Sequence, residues 1–268
     1  MNREQNRFKR RLAEGVTQYG LWAALADSYV VEVLAGAGFD WLLVDNEHAP
    51  NDVRSTLAQL QTIAAYPTQA IVRPVLSDAA RIKQLLDIGA QTLLLPMIDS
   101  PEQARDAVAA ARYPPEGIRG VGSALARASR WNRIPNYLQT ASDEICVLVQ
   151  VETVKGMENL KEIASVEGVD GVFFGPADLS ASMGRLGKPG DPEVRAAISE
   201  GIRVVRASGK GAGVLAPDRV FAAEYIDAGA TFVAVGTDTG LLSTAASQLA
   251  SSFIDDCGNA NPREQGGY

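Results

Sequence analysis

Histidine, cysteine and lysine are scarce in this chain, and the shortages narrow the chemistry that it can perform. The 268 residues include one histidine, His48, and two cysteines, Cys146 and Cys257. They form no Cys-x-x-Cys or Cys/His cluster of the kind that holds zinc. One cysteine lies in an apolar run and the other in a polar C-terminal segment, so they are a poor disulfide pair and favour a reducing, cytoplasmic location. Proton transfer by an imidazole can involve only His48.

Long apolar runs and an excess of positive charge are also absent. The longest apolar stretches, such as residues 92–98, are too short to cross a bilayer. Residues 1–11 are polar and lack the apolar centre of a secretory signal. The formal net charge is −7, whereas binding to nucleic acid needs a basic patch. We therefore expect no membrane segment and no nucleic-acid partner.

The chain does contain a repeated alternation of short apolar runs and longer segments with helical periodicity. The apolar runs are nearly continuous, as in parallel strands that are covered on both faces. Helices are predicted over residues 51–65, 78–89, 101–113 and 191–208, among others. The eight predicted strands cover residues 20–24, 41–45, 70–74, 92–98, 146–152, 171–175, 212–215 and 232–236.

Eight strand–helix units in about 250 residues predict an α/β fold, the (β/α)8 or TIM barrel. The competing architecture is a doubly wound open sheet, which usually has a glycine-rich fingerprint after its first strand; residues 20–24 (GLWAA) have none. We predict one barrel domain over residues 1–256 and a polar, disordered tail over residues 257–268. Residues 117–137 interrupt the alternation and are interpreted as a long active-site loop or a subunit contact.

Candidate catalytic residues follow from position, because the reactive groups of a barrel lie where its strands end. Strand two ends at Asp45 and leads to His48, and strand three ends at Arg73. Strand five ends at Glu152, and strand six leads to Asp178. A stray surface position is the alternative for a lone histidine, and the carboxylates beside it make that alternative less favourable.

Glu152 and Asp178 are the candidate metal ligands. Hard divalent cations such as Mg²⁺ or Mn²⁺ commonly bind through one or two carboxylates, with water and substrate completing the coordination shell. Each carboxylate could instead cap a helix or form an ion pair. Gln150 shares the face of Glu152 by the two-residue period of a strand, so it could form a hydrogen bond at the same site.

Two groups are suited to binding anionic oxygens. The guanidinium of Arg73 is permanently charged and could stabilise an enolate, with a structural ion pair to Asp45 or Glu47 as the alternative. After strand six, the backbone N–H groups of Ala177 and Asp178 would be available to a carboxylate if a helix or tight turn follows there.

Two further features point less clearly to function. The GTDTG sequence at 236–240 lies where many barrels bind phosphate, but a plain helix-start turn explains it equally well. Asp87, near the end of the predicted helix 78–89, has the pattern of a solvated helix residue. It could support His48 only if the fold or a neighbouring subunit brings the two side chains together.

The position of the lysines argues against imine chemistry. A Schiff base with a carbonyl substrate needs an amine inside the barrel, normally on a strand. All six lysines, at positions 9, 83, 155, 161, 188 and 210, lie outside the predicted strands. Metal-assisted carbanion chemistry is therefore favoured.

Several motifs resemble the HpcH/HpaI family of class II, metal-dependent pyruvate aldolases. They are DNEHAP at 45–50, VRP at 72–74, VQVE at 149–152, GPADLS at 175–180 and GVGSALARASRWNR at 120–133. The resemblance covers about residues 8–253. Asn46 is a departure, because glycine is expected there; it could restrict the loop that carries His48, although Asn tolerates unusual φ angles better than most residues.

The resemblance implies a ligand set. Glu152 and Asp178 would hold a divalent cation, Mg²⁺, Mn²⁺ or Co²⁺. The 2-oxo acid would contact Gln150 and the backbone of Ala177 and Asp178.

The resemblance also implies catalytic roles and an assembly. His48 would be the acid/base, with its basicity raised by Asp87 and by Asp45, and Arg73 would stabilise the enolate. A domain-swapped homohexamer, a trimer of dimers, would explain an apolar helical surface at residues 241–253.

The predicted reaction is reversible aldol cleavage of a 4-hydroxy-2-oxo acid to pyruvate and an aldehyde through a pyruvate enolate. Specificity is assigned to Trp22, Leu215 and residues 117–137. One alternative is a malyl- or citramalyl-CoA-type carbon–carbon lyase, for which the sequence shows no basic nucleotide site. Another is a non-catalytic barrel that binds 2-oxo acids.

Overall fold

A computed structural model of the chain describes residues 5–258, with side chains up to residue 254. Eight parallel strands form a closed barrel in chain order, and β1 pairs with both β2 and β8. This closure confirms the predicted (β/α)8 barrel and excludes an open doubly wound sheet. Most of the predicted tail, residues 259–268, lies outside the described part of the chain, so the end of the domain stays a prediction.

Each strand is followed by one or more helices, which pack on the outside of the barrel. The strands are β1 Gln18–Ala23, β2 Trp41–Asp45, β3 Gln69–Arg73, β4 Thr92–Leu95, β5 Cys146–Val151, β6 Gly171–Phe174, β7 Gly211–Leu215 and β8 Phe232–Thr237. The helices are α1 Arg7–Ala13, α2 Ser28–Ala35, α3 Val53–Ile63, α4 Ala79–Asp87, α5 Pro101–Ala111, α6 Tyr137–Glu144, α7 Val154–Glu158, α8 Leu160–Ala164, α9 Pro176–Ser182, α10 Pro192–Ala207, α11 Arg219–Asp227 and α12 Asp238–Gly258.

The fourth strand is shorter than predicted. We expected a strand over residues 92–98, but β4 ends at Leu95. Pro96 has no N–H to donate to the ladder, and Met97 adopts a left-handed backbone with φ 58°. The segment 117–137 also departs from regular structure and contains two short 3₁₀ turns, Ser123–Leu125 and Arg127–Ser129.

Local sequence signals fix where several helices begin. Asp52 and Ser100 accept hydrogen bonds from the backbone of their helices, and each belongs to a reciprocal capping box. Asp78 and Asp218 cap α4 and α11 in the same way with a single carboxylate. The predicted starts of the helices over 51–65, 78–89 and 101–113 are confirmed to within two residues, which sets where each helix begins relative to the strand before it.

The core has two parts. Inside the barrel, the ring centroid of Trp41 lies 6.3 Å from that of Phe8 and 6.4 Å from that of Phe232, and both contacts are edge-to-face. Because Phe8 belongs to α1 and Trp41 begins β2, α1 closes the mouth of the barrel at the strand starts. A larger aliphatic layer is buried between the strands and the helices.

Two glycines make room for the interior rings. A Cβ at Gly20 would come within 2.1 Å of the Trp41 indole, and one at Gly213 within 2.3 Å of the Phe232 ring. Close packing inside the barrel therefore requires hydrogen at both positions. Because α1 and the interior rings fill the end of the barrel where the strands start, a site for small molecules is expected at the opposite end, the rim formed by the carboxyl ends of the strands.

Among the described residues, no helix is both long enough and apolar enough to span a membrane. Cys146 is a free, buried thiol inside the barrel. Cys257 lies beyond the last described side chain.

Candidate active site

Arg73 connects two carboxylates at the rim. Its Nε donates to Oδ1 of Asp45 and its Nη2 to Oδ2, both at 2.8 Å, and its Nη1 lies 2.7 Å from Oε2 of Glu47. The register pairs Asp45 directly with Arg73 at the ends of β2 and β3. Both side chains are buried, so the charges face little competition from water.

The pKa shifts of these two carboxyl groups differ in direction. Burial alone would raise the pKa of Asp45, but the hydrogen bonds and charge of Arg73 outweigh it and hold this pKa below its usual value. For Glu47, burial prevails over the nearby positive charges of Arg73 and His48, and its pKa is raised. The two acids therefore differ in how readily they accept a proton.

His48 lies at the mouth of the site beside Glu47. Its Nε2 is 3.9 Å from Oε2 of Glu47, and 67% of its side chain is exposed. Asp45, which we expected to raise the basicity of His48, is instead held by Arg73, because their strand register places the two side chains together. The carboxylate next to the imidazole is Glu47.

A buried polar network supports the loop that carries His48. Thr56 of α3 donates its hydroxyl to Oδ1 of Asn46 at 2.8 Å, and Asn51 donates Nδ2 to the carbonyl of Asp45 at 2.7 Å. Gln59 in turn donates to Asn51 at 2.6 Å. The backbone of Asn46 is not left-handed, so this residue in place of the expected glycine introduces no strain and adds a contact to α3.

Glu152, immediately after β5, has both carboxylate oxygens fixed by neighbours. The backbone N–H of Met97 donates to Oε1 at 3.0 Å, and Nε2 of Gln150 donates to Oε2. The side chain is only 2% exposed. Burial exceeds the effect of both hydrogen bonds and raises the pKa of Glu152 to about 7, with further repulsion from Asp178 and Glu47.

Asp178 lies in the first turn of α9, which begins at Pro176 after Gly175. Ala177 and Asp178 are exposed at the rim, and first-turn amides have no partner within their own helix. A Cβ at Gly175 would come within 2.5 Å of Oε2 of Glu152. The start of α9 therefore lies directly against the Glu152 carboxylate, as predicted for neighbouring strands β5 and β6.

This donor set fits a divalent cation that keeps part of its water shell. Glu152 is buried and forms no ion pair with any residue of the part of the chain that the structure describes, and Oε1 of Gln150 is buried without a hydrogen bond. In the described part of the chain, no three His, Cys, Asp or Glu side chains form a metal-binding cluster. A pair of carboxylates, Glu152 and Asp178, is the arrangement that Mg²⁺-type ions use when substrate and water supply the other ligands.

Two of the predicted specificity positions, Trp22 and Leu215, lie at the same rim. The segment 117–137 instead contacts the end of α4, where Arg119 donates to Asp87 and Arg127 donates to the carbonyl of Ile88. The Trp22 ring is 5.3 Å from the guanidinium carbon of Arg73, in a cation–π contact, and it also packs on Phe173. Leu215 ends β7, is partly exposed and packs on the interior cluster.

Within one chain, Asp87 lies away from the rim that carries His48. It is the last residue of α4, which runs away from the rim, and Oδ1 accepts from Nη2 of Arg119 at 2.6 Å. A single chain therefore does not bring Asp87 to His48, since the helix direction separates them.

In the GTDTG segment, residues 236–240, the carboxylate of Asp238 takes the position that a bound phosphate would need. Asp238 is buried and accepts from the backbone N–H groups of Ala24 and Leu25 at 2.9 to 3.0 Å. An anionic side chain in this position repels a phosphate. Residues 236–240 thus tie β8 to the loop after β1, and the plain helix-start interpretation is the one that the geometry favours.

Sequence reasoning missed three contributors to the site. Glu47 was treated only as a possible ion-pair partner of Arg73, although it also lies next to His48. Met97 acts through its backbone, which residue type does not reveal. The contact between Trp22 and Arg73 depends on β1 and β3 both pairing with β2, which brings these two side chains together at the rim and which no local pattern shows.

A sequence profile of the HpcH/HpaI aldolase/citrate lyase family matches residues 18–245, which include all eight strands and every rim residue described above. The chain belongs to this family.

Named relatives agree with that assignment. The chain is 75% identical over 248 residues to the hydroxypyruvate/pyruvate aldolase of Paraburkholderia phytofirmans, covering 92% of this chain and 93% of that protein. It is 60% identical over 249 residues to the 4-hydroxy-2-oxo-heptane-1,7-dioate aldolase of Escherichia coli, covering 93% and 95%. The crystal structure of an HpcH/HpaI family protein from Burkholderia cenocepacia matches with a TM-score of 0.89 at 38% identity, over 92% of this chain and 99% of that one.

The predicted HpcH/HpaI membership and the predicted enzyme class, an aldolase among the carbon–carbon lyases, are therefore confirmed. The aldolases of this family depend on a metal ion.

Proposed function

We propose that this HpcH/HpaI aldolase reversibly cleaves 4-hydroxy-2-oxo acids to pyruvate and an aldehyde. The observation that carries the proposal is the Glu152 carboxylate, which is buried, oriented from two sides and adjacent to the start of α9. It shares its rim with a buried guanidinium and with the only imidazole of the chain. This combination suits a reaction that creates and then neutralises an enolate.

Glu152 and Asp178 would hold the divalent cation. When bound, Mg²⁺, Mn²⁺ or Co²⁺ supplies Lewis-acid polarisation of the 2-oxo group and favours the ionised form of Glu152. The amide of Gln150 and the first-turn N–H groups at Ala177 and Asp178 bind the carboxylate and carbonyl oxygens of the 2-oxo acid. This fixes the carbonyl end of the substrate against β5 and α9.

Arg73 would stabilise the enolate as it forms. Two of its five N–H groups donate to Asp45, and Nη1 forms an ion pair of 2.7 Å with Glu47, so N–H groups on both Nη atoms are left to donate to the substrate. The two carboxylates and the Trp22 ring restrict the guanidinium to one plane. A charge held in place before the reaction needs little reorganisation when negative charge develops on the substrate.

His48 would accept the proton of the 4-hydroxyl group while the C3–C4 bond breaks, and the electron pair of that bond passes to C3 to form the enolate. Protonation of the enolate at C3 then gives pyruvate, and loss of the proton from His48 to solvent restores the base. Glu47 lies beside the imidazole, with its Oε2 3.9 Å from Nε2 of His48. In the synthetic direction His48 returns the proton to the new hydroxyl oxygen. Its exposed position leaves room for aldehydes of different length.

The name of one relative bears on which 2-oxo acid supplies the enolate nucleophile in the synthetic direction. Because the Paraburkholderia relative is named for both hydroxypyruvate and pyruvate, we extend the proposal to hydroxypyruvate as a second nucleophile. A screen of both 2-oxo acids against a series of aldehydes, with Mn²⁺, Mg²⁺ or Co²⁺ added, tests this. Aldol products from at least one donor, lost after chelation, support the proposal; no product with any aldehyde contradicts it.

We also propose a homohexamer, a trimer of dimers, as the working assembly in the cytoplasm. Leu241, Leu242, Leu249 and Phe253 of α12 are each more than half exposed, and exposed apolar side chains grouped on one element often mark a protein–protein contact. Asp87 could support His48 only from a neighbouring copy. Sedimentation equilibrium tests the assembly, and a mass equal to one chain contradicts it.

A further inference from the structure

Met97 adopts an unusual backbone at the rim of the barrel. It is a non-glycine residue with φ 58°, between the end of β4 and the start of α5. Such left-handed conformations are uncommon for side chains other than Asn, Asp and His. They persist where surrounding contacts hold them, often at functional sites. The side chain of Met97 is 48% exposed, so burial of its thioether does not account for the conformation.

The backbone on both sides of Met97 is fixed. Oγ of Ser77 donates to the carbonyl of Pro96 at 2.8 Å. The N–H of Ile98 donates to the carbonyl of Gln150 at 3.0 Å, and the Ile98 side chain is buried. The peptide between these two anchors has little freedom, and it crosses directly beside β5.

The N–H of Met97 is the group that this conformation presents to the site. It donates to Oε1 of Glu152 at 3.0 Å, while Gln150 holds the other oxygen. Both carboxylate oxygens are therefore oriented by β5 and by the peptide of Met97. Partners of this kind, which hold a ligand rather than the ion, commonly change metal affinity by about 10- to 100-fold when they are removed.

We propose that Met97 is a positioning residue for the metal site: its left-handed backbone directs its N–H to Glu152 and orients this carboxylate for a divalent cation. The inference rests on the proposed function in one respect, that Glu152 is a metal ligand. It assigns the role to the backbone of residue 97 and none to its side chain.

The test compares substitutions that tolerate a left-handed backbone with one that does not. Met97→Gly and Met97→Asn allow φ near +60°, whereas the β-branched Met97→Val strongly disfavours it. Mn²⁺ affinity is measured by titration calorimetry without substrate. We expect the Gly and Asn variants to bind within about threefold of the wild type, and the Val variant to bind at least about tenfold more weakly. Weakened binding in all three variants, or unchanged binding in Met97→Val, overturns the proposal.

Crystal structures of the metal-free variants supply a readout that does not depend on the metal. The contact from the residue 97 N–H to Oε1 of Glu152 should persist in Met97→Gly and be lost in Met97→Val. If Met97→Val does not fold, a lost contact or weakened Mn²⁺ binding in Met97→Gly still overturns the proposal. Failure of the proposed function looks different, because Glu152→Gln would then bind Mn²⁺ as tightly as the wild type.

Discussion

Arg73 and Asp45 share two parallel hydrogen bonds of 2.8 Å at the ends of paired strands, and neither residue is more than 5% exposed. The fork of the guanidinium matches the two carboxylate oxygens, a geometry that lysine cannot reproduce. Asp45 therefore holds the charge of Arg73 in place and leaves Glu47 beside His48.

Arg73→Lys should lower kcat for aldol cleavage by about 10²- to 10³-fold, because the enolate loses a fixed planar donor. Steady-state kinetics with a 4-hydroxy-2-oxo acid measure the effect. Arg54→Lys, at an exposed position on α3, is the matched control and should leave kcat unchanged. A kcat for Arg73→Lys within threefold of the wild type would contradict the assigned role.

His48→Ala should lower kcat by about 10²- to 10⁴-fold, the usual contribution of a general acid or base. Because the imidazole is mostly exposed, the free energy of unfolding and the Mn²⁺ affinity should not change. Chemical denaturation and calorimetry check these two controls. Near-normal cleavage at neutral pH in this variant would rule out the proton-transfer role.

Gly175→Ala should weaken Mn²⁺ binding by about tenfold or more, because the new methyl group would lie 2.5 Å from Oε2 of Glu152. Gly36→Ala is the control, since its added Cβ would meet no atom closer than 3.7 Å. Calorimetry on both variants makes the comparison. Equal affinity in the two would mean that the Glu152 carboxylate can move away without consequence.

The raised pKa of Glu152 predicts a pH dependence of stability in the metal-free protein. A carboxyl with a folded pKa of about 7, against a reference value of 4.5, stabilises the fold fully below about pH 4.5. That contribution is lost as the pH rises to 7, because ionisation of the buried group opposes folding. Relative to Glu152→Gln, the free energy of unfolding should fall by about 3 kcal/mol across this window.

Urea denaturation of both metal-free proteins from pH 4.5 to 8 measures this difference. Saturating Mn²⁺ should reverse much of the decline in the wild type, because the ion favours the ionised carboxylate. Parallel pH profiles for the wild type and Glu152→Gln would show that Glu152 titrates near its ordinary pKa.

The barrel and most of the rim could be predicted from the sequence for a physical reason. Parallel strands buried on both faces are continuous apolar runs, and the polar residue that ends each run, such as Asp45 or Arg73, must lie at the common rim. That rule gave the locations of Glu152 and Asp178 without any knowledge of side-chain contacts. It needs only the order of the strands.

What the sequence could not provide is the choice among possible partners. Arg73 had both Asp45 and Glu47 within reach along the chain, and only the strand register shows that it contacts both while Glu47 also lies near His48. The effect of Met97 comes from a backbone angle that its residue type disfavours. Asp87 lies on a helix that runs away from the rim, so its predicted contact with His48 is not available within one chain.

The exchange of pyruvate methyl protons with deuterium, followed by NMR, tests the central claim most directly, because it reports enolate formation without any aldehyde. We predict exchange that requires Mn²⁺ and is reduced by at least about 10²-fold in Glu152→Gln and in Arg73→Lys. Exchange at the wild-type rate in Glu152→Gln, or in wild-type protein whose metal ions have been removed by exhaustive chelation, would contradict the account.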